Sequence, residues 1–248
     1  MYGLVGYPVG HSFSAFFFNQ KFEKENIAES YNLFSVEKLD KIRKIITDNP
    51  DLKGFNVTIP YKTEIISYLD KITPEAAEIG AVNVVKIIRD KTNYYLLGTN
   101  TDAFAFKDSL LPFIDKKNFT ALILGTGGAS KAVSYALKKL GLNYKFVSRN
   151  PSLNQLGYND LDENLINNFR IIVNTTPLGM FPSTERCPEL PYNELNANHL
   201  CYDLIYNPPL TLFLKKCLEA GAYIKNGKQM LELQALKSWE LWNDPEFL

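Results

Sequence analysis

The sequence is poor in the residues that build metal sites and disulfide frameworks. It has three cysteines and two histidines in 248 residues. No two of the cysteines have the Cys-x-x-Cys spacing of a zinc or redox site. We therefore expect no metal centre and no disulfide framework. Free thiols also suit a reducing compartment, so the sequence predicts the cytoplasm.

Neither an excess of charge nor a long apolar run is present. Lys+Arg and Asp+Glu both number 27, so the formal charge is zero. This balance argues against a nucleic-acid binder, which carries a basic stripe. No apolar run reaches the roughly 18 residues of a membrane helix, and the start MYGLVGYPVG lacks the basic region of a signal peptide. The composition predicts a protein with neither a nucleic-acid nor a membrane partner, and both a monomer and a homodimer are compatible with it.

The chain does contain a regular alternation of strand-like runs and helical patterns, which predicts an α/β fold with mostly parallel sheets. One such run is GFNVTIPYKTE, residues 54–64, in which apolar and polar residues alternate until Pro60 stops them. Strict alternation predicts a half-buried strand. Lys62 follows two residues after Pro60, and a lysine in this position is usually solvated. Its position alone therefore does not indicate a function.

The stretch TALILGTGGASKAV, residues 120–133, carries a glycine-rich loop between a buried strand and a helix. Glycines permit a tight turn and let the backbone approach a pyrophosphate at the start of the helix. There, free N–H groups and the helix dipole favour negative charge. The strand–loop–helix context predicts dinucleotide binding. The residues expected to contact the cofactor are Gly125, Thr126, Gly127, Gly128 and Ala129.

The next strand indicates which dinucleotide is bound. An NAD-binding fold usually carries an acid about 20 residues beyond the glycine loop, where it binds the ribose. This chain has Ser148 and Arg149 at that place and no acid. An arginine can pair with a 2′-phosphate that an acid would repel. The sequence therefore favours NADP(H) over NAD.

Four polar clusters in the first block lie where strand ends or loops are expected: residues 11–14, 56–62, 80–83 and 98–102. Open α/β sheets bind ligands outside such strand ends. Each cluster also has a plain structural explanation. Ser12 can cap the first helix, Asn83 can begin a hairpin strand, and Asp102 can cap the next helix. Together the clusters offer hydroxyls, an amide, an ammonium and a carboxylate, which suit a small polyhydroxylated acid.

Eight motifs follow one another along nearly the whole chain: VGYPVGHSFS, GFNVTIPYK, GAVN, GTNTDAFAF, GTGGAS, VNTTPLGM, CYDLIYNPPLTLFL and NGKQMLELQA. With them the sequence resembles the shikimate dehydrogenase family. The resemblance implies reversible, NADPH-dependent reduction of 3-dehydroshikimate to shikimate, a step towards chorismate and the aromatic amino acids. It also implies two domains. One is an N-terminal α/β substrate domain with a mostly parallel sheet, residues 1–102 with 226–248, and the other is a Rossmann-like NADP-binding domain, residues 103–225.

The resemblance also assigns roles position by position. Lys62 and Asp102 match the family's catalytic pair. The positions that match its substrate contacts are Ser12, Ser14, Thr58, Asn83, Tyr206 and Gln234. The positions that match its cofactor contacts, beyond the glycine loop, are Ser148, Arg149, Leu204 and Gly227. Thr175 and Thr176 follow another strand and are expected to touch the cofactor's phosphate or ribose.

Two alternatives stay open. The family often has a second arginine a few residues after the first, whereas residues 150–153 of this chain hold none. A quinate/shikimate dehydrogenase with broader cofactor use is therefore compatible with the sequence. The other alternative is a catalytically silent, nucleotide-sensing regulator on the same fold, and the presence of both Lys62 and Asp102 argues against it.

Overall fold

The computed structural model describes residues 1–10, 12–91, 93–114 and 119–247. The chain divides into two compact units. The first consists of Met1–Thr101 and Gln234–Leu248, and the second of Asp102–Leu233. Among the described residues, no helix is both long enough and apolar enough to cross a membrane.

The first unit contains a six-stranded mixed sheet. Its strands are β1 Tyr2–Gly6, β2 Tyr31–Ser35, β3 Gly54–Val57, β4 Lys71–Ile72, β5 Val84–Asp90 and β6 Asn93–Thr99. Its helices in this part of the chain are α1 Phe13–Lys24, α2 Ile42–Asp48 and α3 Pro74–Ile79. The strand order is β2-β1-β3-β5-β6-β4. β1 runs parallel to β2 and β3, whereas β5 and β6 are antiparallel to each other.

Local capping motifs set the ends of these helices. At the start of α1, the Ser12 Oγ accepts a hydrogen bond from the Ser14 N–H at 3.3 Å. At the start of α3, the Thr73 Oγ1 accepts one from the Ala76 N–H at 3.2 Å. Gly80 ends α3 with a φ of 68°, in the left-handed region that glycine adopts without strain. These ends follow from local sequence, because each cap lies within a few residues of its partner.

β3 is buried along its whole length, so the prediction of a half-buried strand was wrong. Phe55 and Val57 pack into a core with side chains of β1 and α2. Asn56 points to the opposite face, because successive side chains of a strand alternate. It is only 4% exposed there and binds other buried polar groups. The alternation in this strand reflects two buried faces of different polarity.

The second unit contains a six-stranded sheet that is parallel throughout. Its strands are β7 Thr120–Leu124, β8 Asn143–Ser148, β9 Leu156–Gly157, β10 Ile171–Asn174, β11 Leu200–Asp203 and β12 Tyr223–Lys225. Its helices are α4 Asp102–Leu110, α5 Gly128–Lys139, α6 Glu163–Ile166, α7 Leu212–Glu219 and the first part of α8 Lys228–Asn243. The order β12-β11-β10-β7-β8-β9 is that of a Rossmann fold. Apolar cores cover both faces, with Ile123 in one core and Leu122 in the other.

The division between the units falls inside α8. Met230 belongs to a core of the second unit, whereas Ala235 and Trp242 belong to a core of the first. The sequence placed the return to the first domain at residue 226, whereas the compact units change at Gln234. The difference arises because one continuous helix supplies apolar side chains to both cores.

Candidate active site

The predicted substrate residues of the first unit gather mainly at one edge of its sheet. They are Ser12 and Ser14 after β1, Thr58 and Lys62 after β3, and Asn83 before β5. Because β1 and β3 are parallel and β5 is antiparallel to β3, two strand ends and one strand start share this edge. β6 also ends there, antiparallel to β5. Loops at such an edge are where open α/β sheets bind ligands.

α1 fixes the two serines at this edge. Ser12 is the N-cap of the helix, and its accepting hydroxyl can donate its own proton to a ligand at the same time. Ser14 is 7% exposed and hydrogen-bonds to the hydroxyl of Tyr31 on β2. Burial raises the pKa of Tyr31 well above its usual range, and the bond to Ser14 opposes this only in part. The tyrosine is therefore a neutral partner that orients Ser14.

Lys62 is half-buried and lies in a turn that follows β3. Its carbonyl accepts a hydrogen bond from the Val82 N–H at 2.7 Å, which ties the turn to the residue before Asn83. Thr58 is also half-buried, and its N–H donates to the carbonyl of Val5 at 2.9 Å. These two hydrogen bonds hold the backbone at Lys62 and on its N-terminal side. The position from which the lysine side chain extends is therefore fixed.

Asn83 connects the edge of the sheet to the C-terminal helix. It is 2% exposed, and its Oδ1 accepts a hydrogen bond from the Thr101 N–H at 2.7 Å. Its Nδ2 donates to the Thr101 Oγ1 at 3.0 Å and to the Gln234 Oε1 at 3.4 Å. The structure therefore brings Asn83 and Gln234 together from distant parts of the chain. It also fixes the backbone immediately before Asp102.

A buried network of hydrogen bonds adjoins these residues, and it was not predicted from the sequence. The Tyr31 hydroxyl donates to the Asn56 Oδ1 at 2.8 Å. The Asn56 Nδ2 donates to the Ser238 Oγ at 2.9 Å and to the Asn83 carbonyl at 3.1 Å. The hydroxyls of Ser238 and Thr101 are 3.4 Å apart. The available signal was Asn56 itself, since an amide within an otherwise apolar strand needs buried partners.

Two residues with predicted roles belong to the second unit. Asp102 is the first residue of α4 and not a residue that precedes the helix, and it is 4% exposed. Tyr206 is half-buried in the segment after β11 and follows Ile205. Asp102 comes directly after Thr101, whose backbone Asn83 holds.

The glycine loop of the second unit has the geometry of a phosphate cradle. Gly125 has a φ of 105°, and a Cβ at this residue would lie 2.9 Å from the Thr175 Oγ1. Gly127 is exposed, and a Cβ there would meet no atom within 4 Å. α5 begins at Gly128 with Gly127 as an N-cap that has no side chain to satisfy the first N–H groups. The open space and the helix start therefore fit the pyrophosphate of a dinucleotide.

The glycine loop meets a second loop where the strand order reverses. The chain leaves β7 towards β8 on one side, and β10 lies on the other side of β7. Gly125 follows β7, and Thr175 and Thr176 follow β10. The Thr175 Oγ1 donates to the carbonyl of Leu124 at 2.7 Å. Both threonines therefore lie at the topological switch point, which is where such folds bind their ligands.

The end of β8 presents the predicted pair for the adenosine end of the cofactor. Ser148 is the last residue of the strand, and its Oγ accepts a hydrogen bond from the Asn150 N–H at 3.2 Å. Arg149 is exposed next to it. Burial raises the pKa of Tyr158, and the positive charge of Arg149 opposes this rise. The guanidinium therefore lies at the carboxyl edge of the sheet, as a 2′-phosphate contact requires.

Gly227 and Leu204 approach each other more closely than any side chain at position 227 would allow. A Cβ on Gly227 would lie 2.0 Å from the Leu204 carbonyl oxygen. The Gly227 N–H donates to the carbonyl of Ile205 at 3.0 Å. Only glycine fits here, and the backbone of both segments is joined next to the end of β11.

Asp203, the last residue of β11, is a second residue that sequence reasoning missed. Its side chain is fully buried. Burial raises its pKa to about 7, against hydrogen bonds from Thr211, Ile205 and Asn174. An acid at a strand end gives no sequence signal of burial, because most acids are exposed.

The cysteines belong to the core of the second unit. Cys201 and Cys217 are buried thiols, and Cys187 is partly exposed. Two causes raise the pKa of Cys217 far above its usual value: a hydrogen bond with Cys201, which is the larger, and burial. Such a thiol is inert. Among the described residues, no group of three or more His, Cys, Asp or Glu side chains could hold a metal ion.

The fold and the loops of the second unit define a dinucleotide-binding α/β protein. Residues 4–85 match the family model described as the shikimate dehydrogenase substrate binding domain. A relative from Clostridium botulinum, named shikimate dehydrogenase (NADP(+)), is 39% identical over 97% of this chain and 95% of its own. The chain belongs to the shikimate dehydrogenase family.

Solved structures agree with this membership. The shikimate dehydrogenase of Aquifex aeolicus is 33% identical and has a TM-score of 0.86, covering 98% of this chain and 91% of its own. The shikimate 5-dehydrogenase of Thermus thermophilus was solved in complex with NADP(H) and shikimate. It is 28% identical and has a TM-score of 0.84, covering 98% of this chain and 92% of its own.

Proposed function

We propose that the protein catalyses the reversible, NADPH-dependent reduction of 3-dehydroshikimate to shikimate, in the shikimate pathway of aromatic amino-acid biosynthesis. The observation that carries the proposal is the 39% identity over 97% of the chain to a shikimate dehydrogenase (NADP(+)). Near-complete coverage of both chains matters, because it includes the substrate residues as well as the dinucleotide fold.

The second unit supplies the NADP(H) site in this proposal. The glycine loop from Gly125 to Ala129 holds the pyrophosphate, and Ser148 and Arg149 hold the 2′-phosphate. Thr175 and Thr176 contact the phosphate or ribose, and Leu204 and Gly227 bring their backbone to the nicotinamide. The bound cofactor supplies the hydride for the reduction. The support is the contact of the two loops at the switch point, with Gly125 against Thr175.

The first unit supplies the substrate site. Ser12 and Ser14 bind the substrate carboxylate through hydroxyl donors. Thr58, Asn83 and Gln234 bind the ring hydroxyls, and Tyr206 of the second unit completes the set. The hydrogen bond that joins Asn83 to Gln234 supports this role, because it holds the two amides next to each other.

Lys62 and Asp102 perform the proton chemistry. Reduction of a ketone creates an alkoxide that needs a proton, and a positioned ammonium can polarise the carbonyl and then protonate the oxygen. We assign this role to Lys62. Asp102 holds the ammonium and hydrogen-bonds the reacting hydroxyl. An adjacent carboxylate favours the charged lysine while burial opposes it, so the two groups titrate as one unit.

The proposal extends to domains, partners and location. The substrate domain comprises residues 1–102 with 226–248, and the cofactor domain comprises residues 103–225. The protein acts as a monomer or a homodimer, without nucleic acid or membrane partners. The cytoplasm is its compartment, and the three free thiols support this location.

The test is the formation of NADPH from shikimate and NADP⁺, followed by its absorbance. We expect saturable activity in the parent protein and its loss in the Lys62→Ala variant. Purified protein that binds NADP⁺ but forms no NADPH would contradict the proposal. That outcome would favour the alternative of a silent, nucleotide-sensing regulator.

A quinate/shikimate dehydrogenase with broader cofactor use is the second candidate. The observation that favours it is the segment 150–153 after Arg149, which holds no second arginine for the 2′-phosphate. Values of kcat/KM for shikimate and quinate, each with NADP⁺ and NAD⁺, distinguish the two. A shikimate-specific enzyme strongly prefers one of the four combinations.

A further inference from the structure

Asp203 receives hydrogen bonds from three separate segments of the second unit. Its Oδ1 accepts one from the Asn174 Nδ2 at 3.1 Å and one from the Ile205 N–H at 3.0 Å. Its Oδ2 accepts one from the Thr211 Oγ1 at 2.6 Å. The three donors come from the end of β10, the turn after β11 and the start of α7. The carboxylate therefore joins three elements at the carboxyl edge of the sheet.

The contact with Asn174 determines how the loop after β10 is held. Asn174 and Asp203 are direct partners in the β10–β11 register. A carboxylate can only accept, so the Asn174 amide must turn its Nδ2 towards Asp203. Its Oδ1 then faces the loop, where it accepts hydrogen bonds from the N–H and the hydroxyl of Thr176 at 3.0 and 2.7 Å. The charge on Asp203 therefore sets the orientation of an amide that holds Thr176.

The other two contacts act on the segments after β11. Ile205 donates to Asp203, and its carbonyl accepts a hydrogen bond from the Gly227 N–H at 3.0 Å. This holds the turn in which Leu204 approaches Gly227. Thr211 donates to Asp203 and accepts from the Leu214 N–H at 3.3 Å, as the N-cap of α7.

The stability of the fold does not account for a carboxylate at this position. Burial of an ionised acid is costly, and burial is the largest cause of the raised pKa of Asp203. The causes that lower this pKa are hydrogen bonds from Thr211, Ile205 and Asn174, which are neutral donors. A neutral residue of similar volume would avoid the cost. Perturbed acids of this kind are concentrated at functional sites.

We propose that Asp203 is a positioning residue for the NADP(H) site. Through Asn174 it holds the Thr175–Thr176 loop against Gly125, and through Ile205 it holds Leu204 against Gly227. This inference rests on the proposed function of these two loops. Asp203 itself touches neither cofactor nor substrate in the proposal.

The first test compares NADP⁺ affinity in two variants and a control. Asp203→Leu removes every acceptor, and we expect its Kd for NADP⁺, measured by calorimetric titration, to rise at least about tenfold. Asp203→Asn keeps one acceptor oxygen and, at about pH 6, should rescue most of this loss. The control is Tyr202→Phe, which removes the buried hydroxyl bonded to Ser109 at 2.7 Å, on the other face of β11. Its Kd for NADP⁺ should be unchanged.

The second test uses pH and does not depend on the folding of the leucine variant. Asn at position 203 replaces Oδ2 by a donor, as protonation of the acid does. The Kd of Asp203→Asn divided by that of the parent should therefore be close to one at about pH 6 and rise roughly fivefold by about pH 8.5. Titration of the cofactor's own phosphate cancels in this ratio.

The described side chains that hydrogen-bond to Asp203 are not titratable. Asn174 on β10 and Thr211 before α7 are neutral. The largest causes that raise the pKa of Cys217 on α7 are a hydrogen bond with Cys201 and burial, and the charge of Asp203 adds to them. This thiol therefore stays neutral as well.

The outcomes separate this inference from the proposed function. A ratio that does not change with pH overturns the role of Asp203, as does a leucine variant that folds and binds NADP⁺ within about twofold of the parent. A parent protein that binds no NADP⁺ at all would instead overturn the proposed cofactor site. Failure of the leucine variant to fold leaves the decision to the pH ratio.

Discussion

The two units bury polar side chains of different charge. In the described part of the first unit they are amides and hydroxyls only: Ser14, Asn56, Asn83, Thr99, Asn100, Thr101 and Ser238. In the second unit they include two acids and a histidine: Asp102, His199 and Asp203. Both units use these groups to hold loops at the edge of a sheet. They do so with different dependence on pH.

A network of neutral groups and a network around a carboxylate hold their neighbours in different ways. A neutral network such as that of Asn56 keeps its donors and acceptors over the whole range in which proteins are folded, so the shape it imposes is constant. A carboxylate such as Asp203 accepts only, and therefore forces every neighbour to donate. It orients its partners more strictly, but at the cost of burying a charge.

The largest effect is expected at Lys62, a residue of the first unit to which we assign the role of general acid. Lys62→Ala should lower kcat by about 10²-fold or more, the scale of general acid catalysis. The fold should remain, because the side chain is only half-buried. Steady-state kinetics and circular dichroism measure the two expectations separately.

The matched control for this change is Lys71→Ala, on the exposed part of β4 in the same unit. It removes the same charge and should leave kcat unchanged. A kcat of Lys62→Ala within about twofold of the parent would exclude Lys62 as the acid, since the loss on the general-acid scale would be missing.

The second effect comes from making the neutral network resemble the charged one. Asn56→Asp replaces the Nδ2 that donates to the Asn83 carbonyl and faces Ser238. An ionised acid there would be buried, the described hydrogen-bond partners of position 56 would all be neutral, and it would face a carbonyl oxygen. We expect a loss of about 3–4 kcal/mol in the free energy of unfolding near pH 8. Part should return near pH 5, because a protonated acid can donate again.

Denaturant unfolding of this variant at the two pH values measures the effect. Asn93→Asp, an exposed position at the start of β6, is the control and should change stability by less than about 0.5 kcal/mol. An equal loss at both pH values would mean that the acid is not ionised in the fold, and that charge is not what separates the two networks.

Much of the fold could be predicted because its signals are local. The buried strand predicted before the glycine loop is present as β7, since short apolar runs between turns are typical of buried parallel strands. The glycine loop was recognisable because the strand, the turn and the helix start lie within a few residues. Family resemblance then supplied the roles of Lys62 and Asp102, which spacing alone does not indicate.

The rest could not be predicted because its partners are distant in the chain. Asn56 looked like the solvent side of a strand, and only the folded chain brings Ser238 to it. Asp203 looked like an ordinary acid at a strand end, and its burial depends on α7 and β10 packing around it. β9, with two residues, has no periodicity to detect.

The third effect is the change in the free energy of unfolding caused by Asp203→Asn. This substitution replaces an acid by an amide and is thus the reverse of Asn56→Asp. The folded pKa of Asp203 is about 7 and its ordinary value is 3.8, so between these values the folded state binds the proton more tightly than the unfolded chain. Stability of the parent from this group therefore falls as pH rises towards 7. The variant lacks this loss. Its free energy of unfolding relative to the parent should increase by about 2–3 kcal/mol from about pH 5 to about pH 8.

Denaturant unfolding across this range provides the measurement, and Tyr202→Phe is again the control. It should lower stability by about 1 kcal/mol at every pH, because a neutral hydrogen bond is lost. A difference between Asp203→Asn and the parent that stays constant with pH would show that Asp203 keeps an ordinary pKa in the fold. The contrast between the two networks would then be one of composition alone.

The smallest effect concerns an exposed charge of the second unit. Arg149→Ala should raise KM for NADP⁺ about tenfold and leave KM for NAD⁺ unchanged, because we assign the guanidinium to the 2′-phosphate, which NAD⁺ lacks. Arg170→Ala removes the same charge at an exposed residue before β10, at the amino edge of the sheet, and should change neither value. An equal rise for both cofactors would move Arg149 away from the 2′-phosphate. Because residues 150–153 add no second arginine, the loss should remove most of the discrimination between the two cofactors, and an enzyme that still prefers NADP⁺ would derive its preference from Ser148 or the glycine loop.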